Sequence, residues 1–147
     1  MNIMQSVKHV LVTPPAAIVD NASFTTNTID TAGYGKVAIF FAVGATDIAM
    51  TALKVQESDD SGMSGAADIT GCVFGASGAP ALPTATDDNK IFGFFINLAG
   101  RKRYLDVVAT AGDGSTGTFG SAWAVLYNGD YPATATGRGL AANLIKD

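Results

Sequence analysis

Histidine occurs once in the chain, at His9, and cysteine once, at Cys72. A Ser-His-Asp relay needs an imidazole held between a hydroxyl and a carboxylate. His9 falls inside Val7 to Thr13, a short apolar stretch that reads as a strand, so it reads as a structural residue. One cysteine permits no internal disulfide and no cysteine-built zinc cage. A single histidine adds little for zinc, copper or non-haem iron, so no metal or other cofactor is expected. Cys72 lies in the apolar run Gly71-Cys72-Val73-Phe74 and reads as a small buried hydrophobe rather than a nucleophile.

Carboxylates cluster at Glu57, Asp59 and Asp60, and again at Asp87 and Asp88. Glu57 to Gly62 lacks the alternating oxygen ligands of a calcium loop. Neighbours in sequence such as Asp59 and Asp60 do not make the facing pair that glycoside hydrolysis uses. Solvated turns that keep sheet edges from sticking are the simpler use, with a loose calcium site between loops as the alternative. Gly112-Asp113-Gly114-Ser115-Thr116-Gly117 spells G-x-G-x-x-G, but a dinucleotide fingerprint needs a helix next. Thr118 to Ala124 reads instead as a strand, which makes the glycines a hairpin turn. No convergent acid–base pair is visible, and no catalytic residue is expected. Asn21-Ala22-Ser23 is a formal glycosylation sequon that means little without a secretory signal.

The positioning elements are strands. In Lys36 to Val43, alternate residues Val37, Ile39, Phe41 and Val43 share one face, while Ala38, Phe40 and Ala42 share the other. Both faces are apolar, which predicts a central strand. Thr51 to Ser58 alternates with Leu53 and Val55 inward and Lys54, Gln56 and Ser58 outward. Lys90 to Leu98 turns Phe92, Phe94, Ile96 and Leu98 inward; Tyr104 to Thr110 groups Leu105, Val107 and Ala109. In Phe119 to Asn128, the bulky set Phe119, Trp123, Val125 and Tyr127 is expected in the core, with Gly120, Ala122 and Ala124 on the reverse face. Val7 to Thr13 and Phe24 to Ile29 read as shorter strands, the first ended by Pro14-Pro15. Between Asp59 and Asn89 only one weak strand is expected, near Cys72 to Phe74.

Seven or eight strands with turn signals between them predict an all-β chain. The long irregular connection favours a two-sheet antiparallel sandwich of jelly-roll type over an evenly closed barrel. Residues 1–130 form the sandwich domain, and 131–147 a flexible C-terminal arm. Leu140, Leu144 and Ile145 share one side of that arm, which either folds back on its own domain or docks on a neighbour.

Charged residues are only 15% of the 147, against about a quarter in ordinary soluble proteins. A surface of small neutral side chains leaves more area able to pack on other protein, which points to assembly. The net charge of −4 argues against binding nucleic acid, which needs several cations on one face. The one basic cluster, Arg101-Lys102-Arg103, reads as a solvated turn between strands, with ion pairing to an acidic neighbouring subunit as a further reading. Met1 to Thr13 has no cationic start, long apolar run or Ala-x-Ala site, so no signal peptide is expected. Val37 to Val43 is too short to span a bilayer, and no membrane partner is expected.

Four stretches, Ile29 to Tyr34, Ala52 to Gly62, Gly100 to Gly114 and Gly137 to Leu140, together resemble a family of small structural proteins of tailed bacteriophages and prophages. The similarity runs from about Val7 to the end and is nearest to capsid cement, or decoration, proteins. That resemblance implies a β domain on the capsid exterior, made in a bacterial cytoplasm, self-associating as a trimer and binding the major capsid protein. It carries over no catalytic residue. In such a protein the sandwich would form the trimer and the termini and loops would touch the shell. The candidate contact residues are Lys8, Arg101, Lys102, Arg103, Arg138, Leu140, Leu144 and Ile145, within the stretches Met1 to Lys8, Arg101 to Arg103 and Arg138 to Lys146. A tail, baseplate or fibre component with a host-carbohydrate site would share the β fold and would need exposed aromatics. Trp123 and Tyr127 are candidates for that role, although both lie on the face expected to be core.

Overall fold

The computed structural model describes residues 6–15, 18–129 and 134–144. Eight strands follow one another: β1 (Lys8–Thr13), β2 (Ile29–Asp30), β3 (Tyr34–Thr46), β4 (Ala52–Ser58), β5 (Ala67–Val73), β6 (Ile91–Asn97), β7 (Tyr104–Thr110) and β8 (Thr118–Gly129). No α-helix occurs among the described residues. The strands form two antiparallel sheets of four, in the orders β1-β8-β3-β6 and β2-β7-β4-β5. The chain thus pairs like a ribbon folded in half, β1 with β8, β2 with β7, β3 with β6 and β4 with β5. The all-β, two-sheet expectation holds.

The core between the sheets follows the alternation of the central strands. Val37, Ile39, Phe41 and Val43 of β3 meet Leu53 and Val55 of β4 and Leu105, Val107 and Ala109 of β7, all buried. Phe24 sits edge-on to Phe41, with ring centroids 5.6 Å apart, and Phe74 caps Phe94 at 5.1 Å.

Besides Ser58, expected outward but buried with its hydroxyl donating to the Ser64 carbonyl, three sequence expectations change. The segment from Phe24 to Ile29 is not a strand; only Ile29–Asp30 pairs, with β7. Asn27 prevents a regular ladder, because its amide donates to the Val12 carbonyl and its side chain to the Leu11 carbonyl, tying the segment to β1 as it crosses toward the second sheet. Beyond Asp59, β5 is longer than expected and begins at Ala67. Asp68 secures it to β4 by accepting from Lys54 and Gln56.

The third correction reverses the faces of β8. Ala122, Ala124 and Leu126 are fully buried, whereas Trp123, Val125 and Tyr127 are half-buried on the outer face and Phe119 is exposed there. The reason is volume. In the ladder, Ala122 lies opposite Phe41 and Ala124 opposite Ile39, so large β3 side chains already fill the space beneath β8. A Cβ on Gly120 would press into the Phe41 ring. Close packing then leaves room only for small residues at positions 120, 122 and 124, whereas Leu126 fits opposite the smaller Val37.

Residues 134–140 turn back onto β1 rather than leaving the domain. The Leu140 amide donates to the Ala135 carbonyl and the Gly139 amide to that of Thr136, the paired closure of a glycine-ended helical turn. Gly139 has φ 76°, and a Cβ there would collide with the His9 backbone. The His9 amide donates to the Arg138 carbonyl at 2.7 Å. Of the apolar side chains on this tail, Leu140 is half-buried at the end of the fold-back and Leu144 is fully exposed.

Candidate functional site

The reversal of β8 gives the first sheet an unusual outer face. Four rows of side chains cross it: Tyr127–Lys36–Asn97 at one border, then His9–Val125–Ala38–Phe95, Leu11–Trp123–Phe40–Gly93, and Ser121–Ala42–Ile91. Beyond the Lys36 row, only His9 and Ser121 in this grid are polar. Phe40 holds the centre, edge-on to Phe95 with centroids 5.9 Å apart and tilted against Trp123 at 5.5 Å. Phe95 is 73% exposed, Ile91 62%, Leu11 54% and Phe119 42%. Those four side chains leave on the order of 400 Å² of apolar surface in water, within the range where a contiguous patch is commonly a contact surface. Near Ile91 and Phe119 the face dips into a shallow depression of about 370 Å³ bounded by Pro15, Gly44 and Asn89.

The outer face of the second sheet is different. Lys54 bonds Asp68 at 2.8 Å, Gln56 donates to the same carboxylate, and Asp106 and Thr110 continue the polar surface along β7. The two faces therefore differ in chemistry: the first is mainly apolar, with Lys36 and Asn97 at one border, and the second is polar.

At the end of the sandwich where β6 turns into β7, the sequence-expected cations gather. Arg101 Nη1 lies 3.3 Å from Glu57, Lys102 Nζ 3.4 Å from Asp59, and Arg103 makes a bidentate pair with Asp30 at 2.9 Å. The Arg103 guanidinium also covers the Tyr104 ring at 5.1 Å. Its hydrogen bonds to Asp30 hold that carboxyl down at about 2, with Lys8 adding a favourable field. The three cations thus have carboxylate partners within their own chain. Arg138 lies away from this cluster on the tail turn, where its Nη1 reaches Asn143, with Leu140 half-buried and Leu144 fully exposed. Ile145 lies outside the described residues, as do Met1 to Gln5 and Lys146.

The glycine-rich loop between β7 and β8 does hold an anion, and the anion is the protein's own. Asp47 accepts the backbone amides of Ser115 and Thr116, at 2.5 and 2.7 Å, and the Ser115 hydroxyl at 3.2 Å. These donors, the Thr116 amide first, hold the Asp47 carboxyl below its usual range. A Cβ on Gly114 would collide with that carboxylate. Asp60 likewise closes its own turn by accepting from the amides of Gly62 and Ser64.

Cys72 is half-buried and packs against the core, and burial pushes its thiol up. It lines a cleft of about 180 Å³ with Phe74, Pro80, Gly93 and Phe95. Among the described residues no three His, Cys, Asp or Glu side chains gather as metal ligands, and no helix is long and apolar enough to cross a membrane.

Sequence reasoning missed the apolar face, although its residues were all visible. The signal lay in β6 and β8 together, where both alternating sets are apolar and only one can be core. No protein-family model, curated protein or solved structure matches the chain.

Proposed function

We propose that this chain is a capsid decoration protein of a tailed bacteriophage, which binds the outside of the head and clamps neighbouring capsomers of the major capsid protein. The observation that carries the reading is the apolar outer face of the first sheet, backed by a rigid core and set opposite a hydrated second face. Such a slab has one side for docking and one for solvent. The strand orders β1-β8-β3-β6 and β2-β7-β4-β5 support reading the sandwich as a jelly roll, an architecture used by viral shell proteins and by lectins. A fold alone carries no function, so the weight rests on the surface.

Magnitude explains why such a protein would act in several copies. Burying about 400 Å² of apolar area yields on the order of 10 kcal/mol before costs. Association consumes about 4 to 15 kcal/mol of that in lost freedom. One face on one capsomer is therefore marginal, and joined copies gripping adjacent capsomers gain by avidity. Holding capsomers together slows the separation through which a DNA-filled shell fails, which is kinetic stabilisation.

A second reading is favoured by the outward, half-buried placement of Trp123 and Tyr127, which puts aromatic rings on the surface where a host-carbohydrate site on a tail or fibre would need them. Sugar sites also need polar groups converging beside the ring. Lys36 and Asn97 lie in the row of Tyr127, but the strip from Leu11 through Trp123 and Phe40 to Phe95 carries no such groups, which favours a protein partner. Copy number in purified particles tests the assignment. Hundreds of copies agree with decoration; a dozen or fewer, with binding on a glycan array, would replace it by the tail reading.

A further inference from the structure

A four-stranded sheet has two edges, and each edge exposes unpaired main-chain donors and acceptors that can template another strand. Three of the four edges in this molecule are blunted. The β1 edge is covered where the His9 amide meets Arg138 and where Asn27 takes the carbonyls of Leu11 and Val12. At the far side of the second sheet, β2 is two residues long and carries the Asp30–Arg103 pair, and β7 beyond it is met by Ala22 and Phe24. The β5 edge is broken by Gly71 at φ 85° and a shift in register, and it bears the charged Asp68.

The fourth edge, β6, has none of these devices. Ile91-Phe92-Gly93-Phe94-Phe95-Ile96-Asn97 holds no charge, no proline and no bulge. Val43 donates to the Lys90 carbonyl and Leu98 to that of Gly35, so even-numbered residues face β3. The main-chain groups of Ile91, Gly93, Phe95 and Asn97 then point away from the sheet, and among the described residues no other strand pairs with β6. The side chains of Ile91 and Phe95 are the two most exposed of the apolar face. A strand of this composition left bare is an aggregation hazard, so its lack of protection is informative.

We infer that the β6 edge is a self-association site, occupied by β6 of a second copy in antiparallel, two-fold register. The occupant follows from the count of open edges. A ring such as a trimer built by edge pairing needs two different free edges on each chain, whereas a single free edge meets only itself, which gives a closed pair. The register that uses all four outward residues sets Gly93 opposite Phe95 and Ile91 opposite Asn97, around an axis at Phe94. Two copies then share about eight main-chain hydrogen bonds. Gly93 is covered within its own chain by the rings of Phe40 and Phe95, so it puts no side chain of its own in the way of the partner strand. Lys90 of one copy falls opposite Leu98 of the other, so no like charges meet. The pairing joins the two apolar faces into one continuous surface. The inference stands on the edges alone and does not require the capsid role, and it sets a dimer in place of the trimer that the resemblance implies.

Sedimentation equilibrium of the purified chain tests it. The expected result is a monomer–dimer equilibrium. Gly93→Pro, which removes an outward amide that β3 does not use, weakens the dimer about a hundredfold. Leu11→Lys with Phe119→Lys, on the apolar face but away from β6, leaves it within about threefold. Should Gly93→Pro fail to fold, cross-linking reads the same register: in a Cys72→Ser background, mixing Gly93→Cys with Phe95→Cys chains gives a disulfide-linked heterodimer on oxidation. A monomer at all concentrations, a trimer mass, or a dimer broken by the face variants but not by Gly93→Pro would each overturn the inference, as would absence of the cross-link.

Discussion

Phe40 and Phe95 meet edge-to-face at 5.9 Å on the outside of the first sheet, on adjacent strands β3 and β6. One ring is half-covered and the other is 73% exposed, so the pair spends an aromatic contact on the water side of the molecule. Such a contact is worth about 0.5 to 1.5 kcal/mol beyond its area. Phe95→Ser is therefore expected to lower folding stability by no more than about 1.5 kcal/mol in urea unfolding. The same change removes the largest exposed apolar side chain of the patch, so dye binding to exposed apolar surface falls.

Trp123 is the one tryptophan, and it lies beside Phe40 in the centre of this face. Its fluorescence reports the environment of the patch directly. In the free protein at low concentration the emission is expected to be partly quenchable by acrylamide. When the face is covered by a partner, the maximum moves to the blue and quenching drops. A spectrum already fully blue and unquenchable in the dilute chain would place Trp123 in a core instead.

The inward placement of small residues on β8 predicts an asymmetry between neighbours. Ala124→Leu inserts volume against Ile39 and is expected to cost about 1 to 3 kcal/mol. Val125→Thr, one residue on and on the opposite face, costs less than about 1 kcal/mol. Equilibrium denaturation of the two variants distinguishes the observed facing from its reverse.

Asp47 ties the turn between β7 and β8 through two amides and a hydroxyl. Asp47→Ala is expected to raise hydrogen exchange at Ser115 and Thr116 by about tenfold or more, while amides in β3 and β7 stay protected. No added nucleotide or phosphate should restore the protection, because the carboxylate is the anion that the loop is built around.

Stability against acid follows from the same kind of carboxylate. Asp30 is held at about 2 by Arg103, and Asp87 at about 2 by Lys90 together with the amide and hydroxyl of Thr84. In the unfolded chain both return toward the ordinary value of about 3.9. A depressed folded value means the unfolded state binds protons first, so this contribution is complete above about pH 4 and is lost as pH falls toward 2. Melting temperature is expected to be flat from neutrality to about pH 5 and to drop below pH 4. Asp30→Asn and Asp87→Asn should each flatten that drop.

Much of the fold was legible where alternation had a single answer. In β4 and β7, polar residues mark the outside, so Leu53, Val55, Leu105 and Val107 could only point inward. β3 is apolar on both faces and was read as central, which it is. In β8 the bulky set points to the wrong face, because the space under the strand is filled by Phe41 and Ile39 from its neighbour. That is a property of three-dimensional volume, which a strand's own sequence does not carry. Phe24 was read within a strand and is instead a buried ring on a crossing segment, held by hydrogen bonds from Asn27 to residues fifteen and sixteen positions earlier. The cluster Arg101 to Arg103 is visible as charge, but its partners Glu57 on β4, Asp59 in the turn after it and Asp30 on β2 are brought close only by the topology. Likewise, the bare edge of β6 emerges only once the strand order is known.

The most direct test of the decoration role is to add the purified chain to capsids of the encoding phage that lack it and follow heat-induced rupture. The account predicts saturable binding, a higher rupture temperature, and loss of both when Phe95 and Ile91 are changed to Ser in a chain that remains folded. Absence of binding, or binding that leaves the rupture temperature unchanged, would contradict it.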